Sequence, residues 1–125
     1  MRVASAVVAS ALLWVTAALP AAQAHSFPET ESPAAGQTLT ATPSEVRIKY
    51  DAPIEKLFAS LKVLDANGRD MAEGLPMVGA DGYTLSVKLT SLEPGRYTVK
   101  WAVVGADTHR TEGSYVFSVA GRAGQ

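Results

Sequence analysis

Apolar side chains fall on every second position through most of this chain. Val46, Ile48 and Tyr50 alternate with Arg47, Lys49 and Asp51. Leu57, Ala59, Leu61 and Val63 run opposite Lys56, Ser60 and Lys62. Tyr83, Leu85, Val87 and Leu89 alternate with Thr84, Ser86 and Lys88, and Tyr97, Val99, Trp101 and Val103 with Arg96, Thr98 and Lys100. A last run sets Tyr115, Phe117 and Val119 against Ser114 and Ser118. Side chains on a strand point to opposite faces in turn, so each run has one buried and one wetted face. No stretch keeps helical spacing over three turns.

Turn chemistry separates these runs. Asp65-Ala66-Asn67-Gly68 reads as a hairpin turn, and Asp81-Gly82 and Glu93-Pro94-Gly95 punctuate the chain before later strands. Two weaker strands lie near Phe27 and Leu39. Residues 70–82 hold three glycines and a proline and read as a long surface loop, and the end of the chain, residues 120–125, as a frayed tail. The pattern predicts an all-β, seven-stranded, Ig-like sandwich of antiparallel sheets.

The front of the chain breaks the alternation. Arg2 is followed by residues 3–19, apolar or small throughout, and then by Pro20 and Ala22-Gln23-Ala24. A basic start, an apolar stretch and a small-x-small end are the three zones of a cleavable signal peptide. Residues 1–24 are thus read as a signal peptide cut before His25, and residues 25–125 as one mature domain working outside the cytoplasm. The rival reading is an uncleaved membrane anchor, but the stretch falls short of the roughly 20 residues that span a bilayer. No arginine pair marks a twin-arginine route. Cleavage leaves His25 with a free α-amine beside its imidazole. Both groups lose a proton readily to a metal ion at neutral pH.

Composition then removes whole classes of function. The net charge of −1 and pI near 6.1 exclude a phosphate-neutralising nucleic-acid binder. Zero cysteines exclude disulfides, thiolate metal sites and a cysteine nucleophile. With two histidines in all, a three-histidine zinc centre cannot form in one chain. Neither histidine lies near a nucleophile elbow, and no glycine loop suited to phosphate is present.

What remains is Asp107-Thr108-His109, just after the strand that ends at Val103-Val104. In an extended segment positions i and i+2 face the same way, so a carboxylate and an imidazole reach one point. Taken alone, Asp-x-His is common in ordinary loops. Joined to His25, it completes a set of three nitrogens and one oxygen. A tetragonal arrangement of that kind favours Cu(II), which also heads the affinity order of divalent metals.

The same residues resemble the CopC family of periplasmic copper-binding proteins. His25 behind Ala-x-Ala, Ser32-Pro33-Ala34-Ala35-Gly36, and Tyr50-Asp51-Ala52-Pro53-Ile54-Glu55 are similar to its opening segments. Leu92 through Trp101, then Val103 through His109 and Gly113 through Val119, resemble its closing strands. The resemblance implies a Greek-key, cupredoxin-like sandwich or barrel that binds one Cu(II) per chain through His25, Asp107 and His109. It also implies a part in copper resistance or homeostasis beside a CopD-type inner-membrane copper transporter. The protein itself is expected to be a monomer and not an enzyme.

Three departures accompany the resemblance. Where many members carry a glutamate this chain has Ala52, with Asp51 beside it on the opposite face of the strand. Arg110 replaces the usual proline after the second histidine, and Pro28 stands near a usual leucine. The mature chain has only Met71 and Met77, too few for the methionine-rich Cu(I) site of some members. Two other functions use the same features. A copper monooxygenase attacking polysaccharides needs an open position for oxygen, which Asp107 would fill. A metal-free Ig-like adhesion module would leave His25, Asp107 and His109 unrelated in space.

Overall fold

The computed structural model describes residues 25–121. The proposed signal peptide, residues 1–24, lies outside them, as do residues 122–125 of the tail. Eight strands follow in order: β1 Pro28–Ser32, β2 Thr38–Leu39, β3 Glu45–Tyr50, β4 Ser60–Leu64, β5 Ala72–Val78, β6 Thr84–Leu89, β7 Gly95–Val104 and β8 Arg110–Val119. They form two four-stranded sheets, β1-β3-β6-β5 and β2-β8-β7-β4. All pairings are antiparallel except the short contact of β2 with β8, which is parallel.

The predicted alternation places the core. Val46, Ile48 and Tyr50 of β3 and Leu85, Val87 and Leu89 of β6 meet Val99, Trp101 and Val103 of β7 and Tyr115, Phe117 and Val119 of β8. Burying a side chain of this size stabilises the fold by about 1.5–3 kcal/mol. The interior is tightly fitted at one crossing. Trp101 lies opposite Gly113, and a Cβ at 113 would stand 2.7 Å from the indole. Tyr50 meets the same indole edge-on, with ring centroids 5.5 Å apart.

Eight strands replace the expected seven, and β5 accounts for the difference. Its glycine and proline read as loop, yet both are accommodated on a sheet edge. Ala72 and Glu73 pair with Leu89 and Lys88, and Met77 and Val78 with Ser86 and Leu85. Gly74, Leu75 and Pro76 therefore stand opposite Val87 alone, a bulge. Gly74 takes the left-handed φ of +80° there, and the missing N–H of Pro76 costs no ladder bond. A second correction concerns the start of β4. The alternation runs back to Leu57, but the strand begins at Ser60 and Leu57 is exposed. Residues 51–59 carry the chain from one sheet to the other, and the periodicity there is not that of a strand.

The turn at 65–68 forms as the sequence predicts. Asp65 Oδ1 accepts the N–H groups of Asn67 and Arg69, and Gly68 takes φ +79°. The C-terminal ends of β3 and β7 and the N-terminal ends of β1, β4, β6 and β8 share one pole of the sandwich. The candidate site lies at that pole.

Candidate metal centre

Two segments build the site: the residues leading into β1 and the loop joining β7 to β8. The first is pinned from both sides. Ser26 is fully buried, its Oγ donating to Pro53 O at 3.0 Å and its carbonyl accepting Thr111 Oγ1 at 2.6 Å. Phe27 N–H donates to Asp51 Oδ1, and Asp51 N–H donates back to Phe27 O, both at 2.9 Å. The residue before Ser26, His25, is thus held against the pole by the chain after β3 and by β8.

The second segment is a tight turn, not the extended piece expected. Gly105 N–H donates to His109 O and Thr108 N–H to Gly105 O, both at 2.9 Å. Thr108 adopts φ 70°, a left-handed conformation that a β-branched residue rarely takes. Asp107 Oδ1 accepts the backbone N–H of His109 at 3.0 Å. Asp107 and His109 therefore converge because the loop folds over the carboxylate, and strand alternation has no part in it.

Across the gap, His25 Nδ1 lies 3.0 Å and His109 Nδ1 3.2 Å from the same oxygen, Asp107 Oδ2. The two imidazoles stand edge to face with centroids 4.7 Å apart. One candidate ligand atom from each of the three residues lies within 4.8 Å of the others. His25 and Asp107 are half-buried, whereas the His109 ring is exposed and leaves the cluster open to solvent. The His109 backbone N–H holds the Asp107 carboxyl below the usual carboxylate range, against the opposing effect of burial, and both imidazoles add to the lowering. The cluster thus presents a fixed anionic oxygen and two imidazoles to anything that enters it.

The structure brings His25, Asp107 and His109 together at one point. Asp51 is engaged with Phe27 and is not in the cluster. Met71 packs against the core, while Met77 is exposed on β5. Sequence reasoning missed the supports Ser26, Gly105 and Thr111. A Cβ at Gly105 would lie 2.8 Å from Asp107 Oδ1 and 2.9 Å from Ser26 Oγ, so only glycine lets the two segments close on each other. One signal for Thr111 was present: the inward phase of β8 runs back from Tyr115 through position 113 to 111.

An all-β sandwich with an imidazole and carboxylate cluster at one pole describes a class of small metal-site proteins. A family model for the CopC domain matches residues 29–120, and this chain belongs to the CopC family. It is 34% identical over 114 residues to Protein YobA of Escherichia coli K12, covering 89% of this chain and 91% of that protein. It is 30% identical over 98 residues to the copper transport protein CutJ of Bacillus subtilis, covering 77% of this chain but 18% of CutJ. The crystal structure of CopC from Methylosinus trichosporium OB3b superposes with a TM-score of 0.75 and 31% identity, over 81% of this chain and 99% of that one. PcoC, a methionine-rich copper resistance protein of Escherichia coli, gives a TM-score of 0.68 and 25% identity, over 77% of this chain and 99% of that one.

Proposed function

We propose that the mature chain carries one Cu(II) in the periplasm, as a copper carrier or buffer in resistance or homeostasis. Export and cleavage after Ala24 create the α-amine of His25. That amine, the imidazoles of His25 and His109 and the carboxylate of Asp107 supply three nitrogens and one oxygen, a donor set suited to tetragonal Cu(II). The observation that carries the reading is the meeting of His25, Asp107 and His109 at one point, from segments 82 residues apart, in a chain of the CopC family. The similarity to PcoC, a copper resistance protein, and to CutJ, a copper transport protein, supports the choice of metal.

The role is carriage, not catalysis, because Asp107 would supply a fourth ligand where oxygen activation requires an open position. The protein acts as a monomer and passes its cargo to a CopD-type membrane protein. CutJ lends support to the latter point, since a segment similar to this chain is a small part of that longer copper transport protein. Met71 and Met77 add no Cu(I) site.

The test is titration of the processed protein with Cu(II), followed by electron paramagnetic resonance. One equivalent binds with a nitrogen-rich tetragonal spectrum. His109→Ala and a protein with one extra residue before His25 both bind far more weakly. Wild-type affinity in either variant removes the ligand set proposed here.

A further inference from the structure

The loop between β3 and β4 carries two large apolar side chains that nothing in the fold covers. Leu57 is 87% and Phe58 67% exposed, and the exposed Lys56 precedes them. The loop is rooted at both ends. Ile54 bridges Gly105 and Glu55 N–H donates to Val104 O at 2.8 Å, while Ser60 enters β4 opposite Ala102. Leu57 and Phe58 therefore project from a held base beside the 105–109 turn.

The adjoining outer face of the β4-β7-β8 sheet is cationic. Lys62 stands directly opposite Lys100, and Arg110 lines the same shallow groove. Like charges placed opposite one another across strands repel. Among the described residues neither lysine has a carboxylate within ion-pair distance. The acids nearby are Glu112, which pairs with Arg110 at 3.1 Å, and Glu55 on the loop.

We propose that this surface docks the protein on an anionic lipid bilayer. Leu57 and Phe58 enter the interface, and Lys56, Lys62, Lys100 and Arg110 face the headgroup phosphates. An apolar tip flanked by basic residues is the pattern of a surface-bound, non-spanning attachment. A bilayer also receives two projecting side chains without a shaped pocket, whereas a protein partner would have to supply one. Docked this way, the 105–109 turn lies beside the membrane. The inference does not depend on copper, and its test uses copper-free protein.

The experiment is co-sedimentation of the mature chain, residues 25–121 of which carry the whole described fold, with phosphatidylglycerol–phosphatidylethanolamine vesicles or with pure phosphatidylcholine vesicles. The leader is omitted because its apolar stretch would bind lipid by itself. The wild type binds the anionic vesicles and not the neutral ones, and salt releases it. Leu57→Ser with Phe58→Ser lowers the partition coefficient about a hundredfold. Lys62→Gln with Lys100→Gln lowers it about thirtyfold, at roughly fivefold per lysine near an anionic surface. All four positions are exposed, so circular dichroism and melting confirm that the variants stay folded. Absence of binding, equal binding to neutral vesicles, or variants that bind like wild type overturns the proposal.

Discussion

Gly105→Ala tests whether the proposed metal site depends on the close approach of its two segments. The new methyl would sit 2.8 Å from Asp107 Oδ1 and 2.9 Å from Ser26 Oγ, closer than real Cβ contacts come. Both oxygens end side chains, so the structure yields by turning them away. Asp107 then stretches its 3.0 Å bond from His109 N–H, and Ser26 its 3.0 Å bond to Pro53 O. A hydrogen bond to a charged group contributes about 1.5–3 kcal/mol and a neutral one about 0.5–1.5 kcal/mol. With partial relaxation the variant loses about 2 kcal/mol, a fall in melting temperature of roughly 10 °C for a domain of this size. Copper must also pull the carboxylate back, which weakens binding by about tenfold to thirtyfold. Gly113→Ala is the control. Its methyl meets the Trp101 indole at 2.7 Å, so it destabilises the core without touching the ligands. Chelator competition gives the affinities and thermal melting the stabilities. If Gly105→Ala binds copper like wild type, or if Gly113→Ala loses as much affinity, the account of the site as two interlocked segments is wrong.

Two further perturbations separate support from chemistry. Thr111→Val keeps the shape of the side chain but leaves the buried Ser26 carbonyl without its 2.6 Å donor, a loss of about 1–3 kcal/mol in melting experiments, partly recovered when copper ties down the same segment. Asp81, in the turn before β6, is held below the usual carboxylate range, first by the Tyr83 backbone N–H and then by the Thr84 hydroxyl. A depressed folded-state pKa contributes stability above the unfolded value, about 4, that is lost as pH falls through the folded value. Asp81→Asn therefore melts below wild type at neutral pH, and the gap closes as the pH falls below about 4.

Alternation was enough to place almost every core side chain, because each sheet buries one face. It failed where the chain leaves the sheets. Leu57 keeps the phase of β4 but lies on the crossover to it, and period alone carries no mark of where hydrogen bonding begins. The edge strand β5 was hidden for the opposite reason, since Gly74 and Pro76 signal a loop unless a bulge absorbs them. The three clustered residues were legible because the proposed cleavage after Ala24 singles out His25 and because only one other histidine is present in the sequence. Their supports were not. Ser26 and Gly105 are small residues with no pattern of their own, and their importance comes from a contact between segments distant in sequence.

The arrangement of protons at the site leads to one more expectation. Asp107 is ionised, and an ionised carboxylate only accepts hydrogen bonds. The His25 imidazole therefore turns Nδ1–H toward Asp107 Oδ2 at 3.0 Å, and His109 Nδ1 lies 3.2 Å from the same oxygen. Without copper, a proton holds His25 and Asp107 together. Copper bound by the α-amine of His25 must also take Nδ1 of that residue, because Nδ1 closes a six-membered chelate and Nε2 cannot reach. The ring must then surrender Nδ1–H, which its own Nε2 can take up, and the amine must lose a proton outright. Copper affinity should therefore fall as pH decreases from 8 to 6, by about one decade per unit for each proton expelled. Calorimetry in buffers of different ionisation enthalpy counts those protons directly. The protein with an extra residue before His25 has no amine at the site, so its affinity changes less steeply. A pH-independent affinity in the processed protein, or the same slope in the extended one, would show that the amine is not a ligand.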